Sequence, residues 1–498
     1  MCGILGMIGG TTEHEARFPS ALASLSHRGP DHQGTWKNDA VILGHRRLSI
    51  MDVDGGHQPL QCPQSGRALV CNGEIYNYAV LKRRLDGYPF QTQSDSEVVL
   101  PLYGRRGGEA AGELDGMFSL LIAEGSGCFA ARDPVGIKPL YYGTAGGGRD
   151  KTLLFASELK ALVGMAERIR EFPGGHWFHS GRGLRPYYRV PDPEEFLCDR
   201  EAAARRVRAV LEDSVRKRLM SDVPVGVFLS GGLDSSIVAA LMKRHVPELH
   251  SFAVGMEGAP DLEAARVVAA HLGTVHHEHT YTGEDVLGAL PEVIYHLESW
   301  DPALIRSAVP CYFVSRLARE RVKVVLSGEG SDELFCGYSY LADYDDPRAL
   351  QQESRRILNG LHNINLQRVD RMTMAHGLEG RVPFLDTRFI ETVLEIDPRL
   401  KARSAFGIEK GILRKACEDL LPRDIVWRDK MEFAQGAGSS TLLQKAAEQI
   451  PGHELAAARR NGLPVSTGEE LLYHRIFRRH FRHADAEVLV GRWKGVLH

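Results

Sequence analysis

Two short stretches of this chain carry residue types whose spacing suits group transfer to or from a phosphate. In residues 228–236, Phe-Leu-Ser-Gly-Gly-Leu-Asp-Ser-Ser, an apolar run ends in two glycines set among hydroxyls. Gly231 and Gly232 let the backbone come close to an oxyanion, and a helix starting there aims unpaired N–H groups at it. Ser230, Ser235 and Ser236 add hydroxyl donors, and Asp234 suits a divalent cation. The turn has no lysine, so it is not the G-x-x-x-x-G-K-[ST] phosphate loop. Taken alone, an ordinary strand-to-helix turn is the competing reading. Residues 327–333, Ser-Gly-Glu-Gly-Ser-Asp-Glu, place carboxylates in a second glycine turn. Carboxylates repel phosphate unless a cation stands between them, and Mg²⁺ on Asp234 and Asp332 reconciles the two turns.

A different chemistry is written at the N-terminus. Removal of Met1 would leave Cys2 first, and a free α-amino group has a pKa near 8, roughly that of a thiol, so it can serve as a local base. Polar clusters follow at residues 27–31, 44–50, 71–77 and 94–97. Taking an amide from glutamine needs a nucleophile, oxyanion donors and a clamp for the amino-acid head group. Cys2 is the nucleophile; the Asn72 side chain and the Gly73 N–H are the donors, worth on the order of 3 kcal/mol when preorganised. Arg47, with Leu48, Ser49 and Ile50 beside it, suits the substrate carboxylate, and Glu74 with Asp95 suits its ammonium.

The elements that must hold these groups are legible from periodicity. Residues 223–229 read as a buried strand, and Ile237, Val238, Leu241 and Met242 fall at helical spacing behind it. Strands are expected at residues 250–256, 275–281 and 322–326, and a helix over 261–272 is stopped by Gly273. Strands alternating with helices predict a parallel sheet covered on both faces, with ligands beyond the carboxyl ends of its strands. Both glycine turns follow strands and should open onto one crevice. The proline- and acid-rich residues 188–199 mark a linker, followed by a helix with Val207, Val210, Leu211, Val215 and Leu219 on one face.

Composition limits the alternatives. A chain of 498 residues implies two or three domains, and 43% hydrophobic with 25% charged residues is a soluble globular balance. A net charge of −3 without basic runs argues against nucleic acid, and no apolar run is long enough for a membrane. The eight cysteines form no C-x-x-C pair, so scattered thiols in a reducing cytoplasm are expected, without a signal peptide. A homodimer is left open.

The Cys-Gly-Ile start, Arg-Leu-Ser-Ile at 47–50, Asn-Gly-Glu-Ile-Tyr-Asn at 72–77 and Ser-Asp-Ser-Glu at 94–97 resemble a class II glutamine amidotransferase domain. Residues 132–142 and 155–160 continue the resemblance and are assigned no chemistry. It implies an N-terminal-nucleophile hydrolase fold, an antiparallel β-sandwich with flanking helices, over residues 2–190. Ser-Gly-Gly-Leu-Asp-Ser-Ser is similar to the pyrophosphate loop of ATP pyrophosphatases. With residues 326–335, 379–386, 427–430 and 473–477 it makes residues 200–498 resemble a doubly wound, parallel-sheet ATP-pyrophosphatase domain of the glutamine-hydrolysing asparagine synthetase family.

The resemblance implies an α/β and α+β chain that makes asparagine from aspartate, glutamine and ATP through β-aspartyl-AMP, releasing AMP and pyrophosphate. Leu229, Val254, Ser327 and Gly328 would contact adenosine. Ser230, Gly231, Gly232, Asp234, Ser235 and Ser236 would hold the phosphates, with Mg²⁺ on Asp234 and Asp332. Lys430 would neutralise phosphate charge, Glu329 would take a proton from ammonia, and Arg306 would bind an aspartate carboxylate. The family carries ammonia between its two sites inside the protein. This chain departs from the common pattern in having Ala303 and Leu304 where many bacterial members have two threonines, Gly380 for alanine, and Cys336 for glycine. Other readings are an amidotransferase acting on another carboxylate, decided by the acceptor-pocket residues around Arg306 and Arg381, and a glutaminase or nucleotide sensor with an inactive second half.

Overall fold

The computed structural model describes residues 2–147, 151–431, 433–438, 442–444 and 450–492. Two six-stranded antiparallel sheets face each other in the first part of the chain. Strand Cys2–Ile8 lies inside one of them, between Val41–Arg47 and Thr152–Ala156. Strand Ala68–Ile75 belongs to the other, paired with Gly116–Glu124. Alternation along each strand sorts the side chains into layers. Ile4, Leu43, Val70 and Leu121 fill the space between the sheets. Leu5 and Met7 turn outward to Phe18 and Leu22 of helix Thr12–Ala23, while Leu69 and Leu120 meet Val99 and Leu102 of helix Val99–Arg106. This is the expected antiparallel sandwich with flanking helices.

Residues 187–199 cross to helix Arg200–Lys217 without forming a strand or helix. Its Val207, Val210, Leu211 and Val215 are buried as the spacing predicts, whereas Leu219 lies just past the helix end. The second half holds a five-stranded sheet, parallel throughout, in the order Val275–Thr280, His250–Gly255, Val225–Phe228, Val324–Leu326, Glu379–Arg381. Chain order reverses direction on either side of Val225–Phe228, which makes the gap between it and Val324–Leu326 the switch point where a crevice opens. Helix Pro260–Leu272 ends at Gly273 in the left-handed conformation, as read from sequence.

Two departures noted in the sequence have local explanations. A Cβ on Gly380 would stand 2.8 Å from Val369 Cγ1, so the small residue accommodates the valine behind it. Cys336 has φ +54, a conformation that glycine enters more easily than any residue with a Cβ.

The two halves are locked by charges that neither could bury alone. Arg28 is fully buried and reaches Glu158 at 2.7 Å and Asp370 at 2.7 Å. Arg371 joins Glu158 at 2.7 Å to Glu298 at 3.0 Å, and Lys160 also reaches Glu298 at 3.0 Å. Lys138, buried beside Asp370, donates to the Gly380 carbonyl at 3.3 Å. Burial alone would raise the Asp370 carboxyl, but Arg28 and Lys138 hold it below its ordinary value. Removing one partner of such a group strands the others. Asp370→Ala is therefore expected to destabilise the protein by about 3–5 kcal/mol, read as a lower urea midpoint; an unchanged midpoint would show that water or neighbours replace it.

Candidate active sites

The first site grows from the strand pairing. Register sets Cys2 opposite Arg47, and the Cys2 backbone N–H donates to Asn72 Oδ1 at 2.9 Å. Asn72 is fully buried and its Nδ2 donates to Ser119 Oγ at 3.4 Å. Gly73 has φ +152, and a Cβ there would lie 2.0 Å from the Met117 carbonyl oxygen, so only glycine fits. Arg28 Nε donates to the Cys2 carbonyl at 2.9 Å, tying the nucleophile's backbone to the buried ion cluster. Burial pushes the Cys2 thiol up, while a bond from the Leu48 N–H and the charge of Arg47 pull it down. Met1 lies outside the described residues.

The other residues expected at this site are held by the backbone around them. Arg47 donates to the carbonyls of Met51 at 3.0 Å, Asp52 at 2.6 Å and Val53 at 2.9 Å, which fixes its guanidinium against that loop. The Ser49 N–H donates to Asp31 Oδ2 at 2.8 Å, and Ile50 is buried. Asp95 accepts the Ile75 N–H at 2.6 Å and is pushed up to about 6, chiefly by burial. Burial also raises Glu74 well above the carboxylate range, helped by the nearby charges of Glu379 and Asp95.

Sequence reasoning missed one wall of this site. Glu379 and Arg381, on the last strand of the parallel sheet, reach across to it: Arg381 lies 3.6 Å from Glu74 and donates to Glu379 Oε1 at 2.6 Å. Arg381 was expected beside Arg306. It is instead buried with its Nη1 on the carbonyls of Arg218 and Met220, each at 2.6 Å. The reason is strand geometry, since Glu379 and Arg381 point to the same face and that face meets the sandwich.

The second site is a cleft of about 420 Å³ at the switch point. Leu229, Ser230, Gly232, Asp234, Ser235, Val254, Ser327, Gly328, Glu329, Asp332, Arg306 and Lys430 all line it. The turn is drawn tight by its own hydroxyls: the Gly232 N–H reaches Ser230 Oγ at 3.3 Å, and Ser235 Oγ lies 3.1 Å from Ser230 Oγ. Helix Leu233–Lys243 starts at Gly232 with no side-chain cap. Gly231 and Ser236 do not line the cleft. Gly231, with φ +71, presses on Ala264, where a Cβ would come within 2.4 Å of the carbonyl carbon. Ser236 is fully buried in the helix, and its Oγ has no hydrogen-bond partner among the described residues.

Charge in the cleft is arranged in pairs. Lys410 Nζ sits between Asp234 Oδ2 at 2.6 Å and Asp332 Oδ1 at 2.7 Å, and Lys430 reaches the same Asp332 oxygen at 2.7 Å. Asp332 therefore lies well below the carboxylate range despite its burial, and Lys410 lies above the ordinary lysine value. Glu329 pairs with Arg368, yet burial still raises its carboxyl. Arg306 faces the cleft from helix Pro302–Arg319 and is bonded to Glu469. Lys410 and Arg368 had no sequence signal, because neither belongs to a glycine turn or a repeated spacing. Among the described residues no group of three metal-ligating side chains occurs. No helix among them is long and apolar enough to cross a membrane.

A family model described as "Asparagine synthase" matches residues 206–348 and 342–494, and one described as "Glutamine amidotransferase domain" matches residues 1–173. "Asparagine synthetase B [glutamine-hydrolyzing]" of Escherichia coli (strain K12) is 42% identical over 506 residues, covering 96% of this chain and 91% of its own. "Probable asparagine synthetase [glutamine-hydrolyzing]" of Schizosaccharomyces pombe is 42% identical over 535 residues, covering 99% of this chain and 96% of its own. The Brassica oleracea protein named "Asparagine synthetase [glutamine-hydrolyzing]" is 40% identical over 98% of this chain and 88% of its own.

A pH test follows from Glu333, which also lines the cleft. Burial, then the charge of Asp332, pushes it up to about 7, against the pull of a hydrogen bond from the Tyr338 hydroxyl. Between the unfolded value of about 4.3 and 7, the folded protein keeps a proton that the unfolded chain has lost. Rising pH therefore withdraws stability across that window. Glu333→Gln keeps an acceptor for Tyr338 and does not titrate, so its denaturation midpoint should gain on the wild type between about pH 5 and pH 8. A constant difference would rule Glu333 out as the titrating group.

Proposed function

The chain belongs to the glutamine-hydrolysing asparagine synthetase family, and from that membership we propose that it makes asparagine from aspartate, glutamine and ATP. The observation that carries the reading is one helix, Asn365–Met374. Its Arg368 pairs with Glu329 in the ATP cleft, and its Asp370 pairs with Arg28, which holds the Cys2 carbonyl. Two sites hung on the same ten-residue helix suit an amide donor and an acceptor handled in one cycle. The alternatives are not favoured: relatives named for asparagine synthesis align over nearly the whole length.

In the first half-reaction, the Cys2 sulfur attacks the glutamine side-chain carbonyl. Asn72 and Gly73 are assigned to the oxyanion, Arg47 with Leu48, Ser49 and Ile50 to the carboxylate end, and Glu74 with Asp95 to the ammonium. Ammonia leaves, and water hydrolyses the thioester to glutamate. A solvent-exposed route would protonate the ammonia, so it crosses inside the protein to the cleft.

In the second half-reaction, Arg306 anchors aspartate by its α-carboxylate, the β-carboxylate attacks the α-phosphorus of ATP, and pyrophosphate leaves. Leu229, Val254, Ser327 and Gly328 are assigned to adenosine, and Ser230, Gly232, Asp234 and Ser235 to the phosphates. Asp234 and Asp332 stay assigned to Mg²⁺, but in this structure the Lys410 ammonium bridges their oxygens and holds the place between them that a cation would take. When bound there, Mg²⁺ supplies charge that screens the leaving pyrophosphate. Lys430 supplies further positive charge. Ammonia then attacks the acyl carbon of the aspartyl-adenylate, Glu329 takes the proton, and AMP leaves. A raised pKa brings Glu329 nearer the pH at which a base works best. The cytoplasm fits the eight free cysteines, seven of them buried.

Cys2→Ala should abolish glutamine-dependent synthesis and leave synthesis from added ammonia; loss of both would sink the assignment of the first site. Glu329→Gln should slow ammonia-dependent synthesis about 10²–10⁴-fold. The deciding assay supplies aspartate, glutamine, ATP and Mg²⁺, and weighs the products by mass spectrometry. Asparagine with AMP and pyrophosphate is expected, whereas ADP or an absent amide would refute the scheme.

A further inference from the structure

The guanidinium of Arg306 is held from behind. Its Nε donates to Glu469 Oε1 at 3.0 Å and its Nη2 to Glu469 Oε2. Glu469 is 4% exposed, and Tyr473, fully buried one turn further along helix Gly468–His480, donates its hydroxyl to Glu469 Oε1 at 2.9 Å. That helix is seated by Trp300, whose ring meets His474 edge-on at 5.0 Å. The hydrogen bonds from Arg306 to Glu469 raise the arginine further above its ordinary value, so its charge is permanent. An arginine has five N–H donors in a rigid fork. Glu469 takes one on Nε and one on Nη2. Three remain, two on Nη1 and one on Nη2, and one from each nitrogen makes the end edge of the fork that a bidentate carboxylate requires.

We propose that Glu469, fixed by Tyr473, is the positioning residue of the acceptor site: it sets the edge of Arg306 that meets the α-carboxylate of aspartate. The inference rests on the reading of Arg306 as the aspartate anchor. Helix Gly468–His480 thereby becomes part of a site otherwise built from the switch point of the sheet. The local sequence shows why an outside group is needed. The first turn of helix Pro302–Arg319 carries Ala303 and Leu304, which have no hydroxyl to steer the arginine. Without Glu469, the fork can turn and offer its Nε edge, shifting the α-carboxylate and, with it, the β-carboxylate relative to the α-phosphorus. Misplacement of reacting atoms by about 1 Å costs up to about 10²-fold in rate.

The test uses the full chain with ammonia as nitrogen source, and three variants: Glu469→Gln, Tyr473→Phe and Arg306→Lys. Glu469→Gln should raise the aspartate KM roughly tenfold and lower aspartate-dependent ATP–pyrophosphate exchange, with the ATP KM and Cys2-dependent glutamine hydrolysis unchanged. Tyr473→Phe, which removes a single O–H, should raise the aspartate KM by less and keeps the test alive if Glu469→Gln fails to fold. A merely structural role would move the aspartate and ATP KM values together, which overturns the proposal. So does a fall in the aspartate KM, which would make Glu469 a competing charge. If Arg306→Lys leaves the aspartate KM unchanged, the anchor reading fails and the proposal with it. If Arg306→Lys raises it and Glu469→Gln does not, the proposal alone fails.

Discussion

The rest of the structure depends on the burial of Arg28 between the two halves. A guanidinium taken wholly out of water is tolerable only with carboxylates around it, and those come from both sides: Glu158 from the sandwich and Asp370 from the helix that also bears Arg368. Buried ion clusters contribute less to net stability than their contacts suggest, because desolvation opposes them. Their geometry, however, admits few alternatives. A sliding of the halves by an ångström or two would leave several charges unpaired, so the cluster sets one relative placement of Cys2 and Glu329. Apolar packing at the same interface would have been more forgiving.

The cleft at the switch point, the proposed ATP site, solves a related problem in the opposite way. Its carboxylates must stay ionised next to a polyanion. Lys410 and Lys430 hold Asp332 well below the carboxylate range, while Glu329 keeps a raised carboxyl with a single cation, Arg368, bonded to it. Two acids three residues apart thus receive different protonation behaviour from their neighbours. One is suited to permanent charge, the other to proton transfer.

Much of this was legible in the sequence, for an identifiable reason. A phosphate cradle needs consecutive backbone groups, so residues 230–236 and 327–333 announce themselves as contiguous motifs, and alternating strands and helices predicted the parallel sheet around them. Cys2, Asn72 and Gly73 stood out because residues suited to a nucleophile and its oxyanion donors are few and chemically distinctive, and the structure brings Cys2 and Asn72 together. Lys410, Arg368 and Glu469 did not stand out, because each is a single charged residue whose ionic partner lies far away in the chain. Arg381 shows the same limit from the other side. Motif membership placed it with the acceptor, but position within a strand, rather than beyond its end, turned it toward the sandwich. Ser236 likewise sits far enough into its helix to face the core.

The strand Glu379–Arg381 has a consequence for inheritance and for engineering. It is the edge strand of the parallel sheet, yet its Arg381 also reaches Glu74 in the proposed glutamine site. The seam between the functional units is therefore not the seam between the domains. A chimera cut in the linker at residues 187–199 would pair one parent's Glu74 with another parent's Arg381, and would inherit a hybrid pocket however well each half folded. Recombination that preserves the pocket must carry residues 379–381 along with the N-terminal half. The two halves are thus expected to change together at this strand as well as at the buried ion cluster around Arg28.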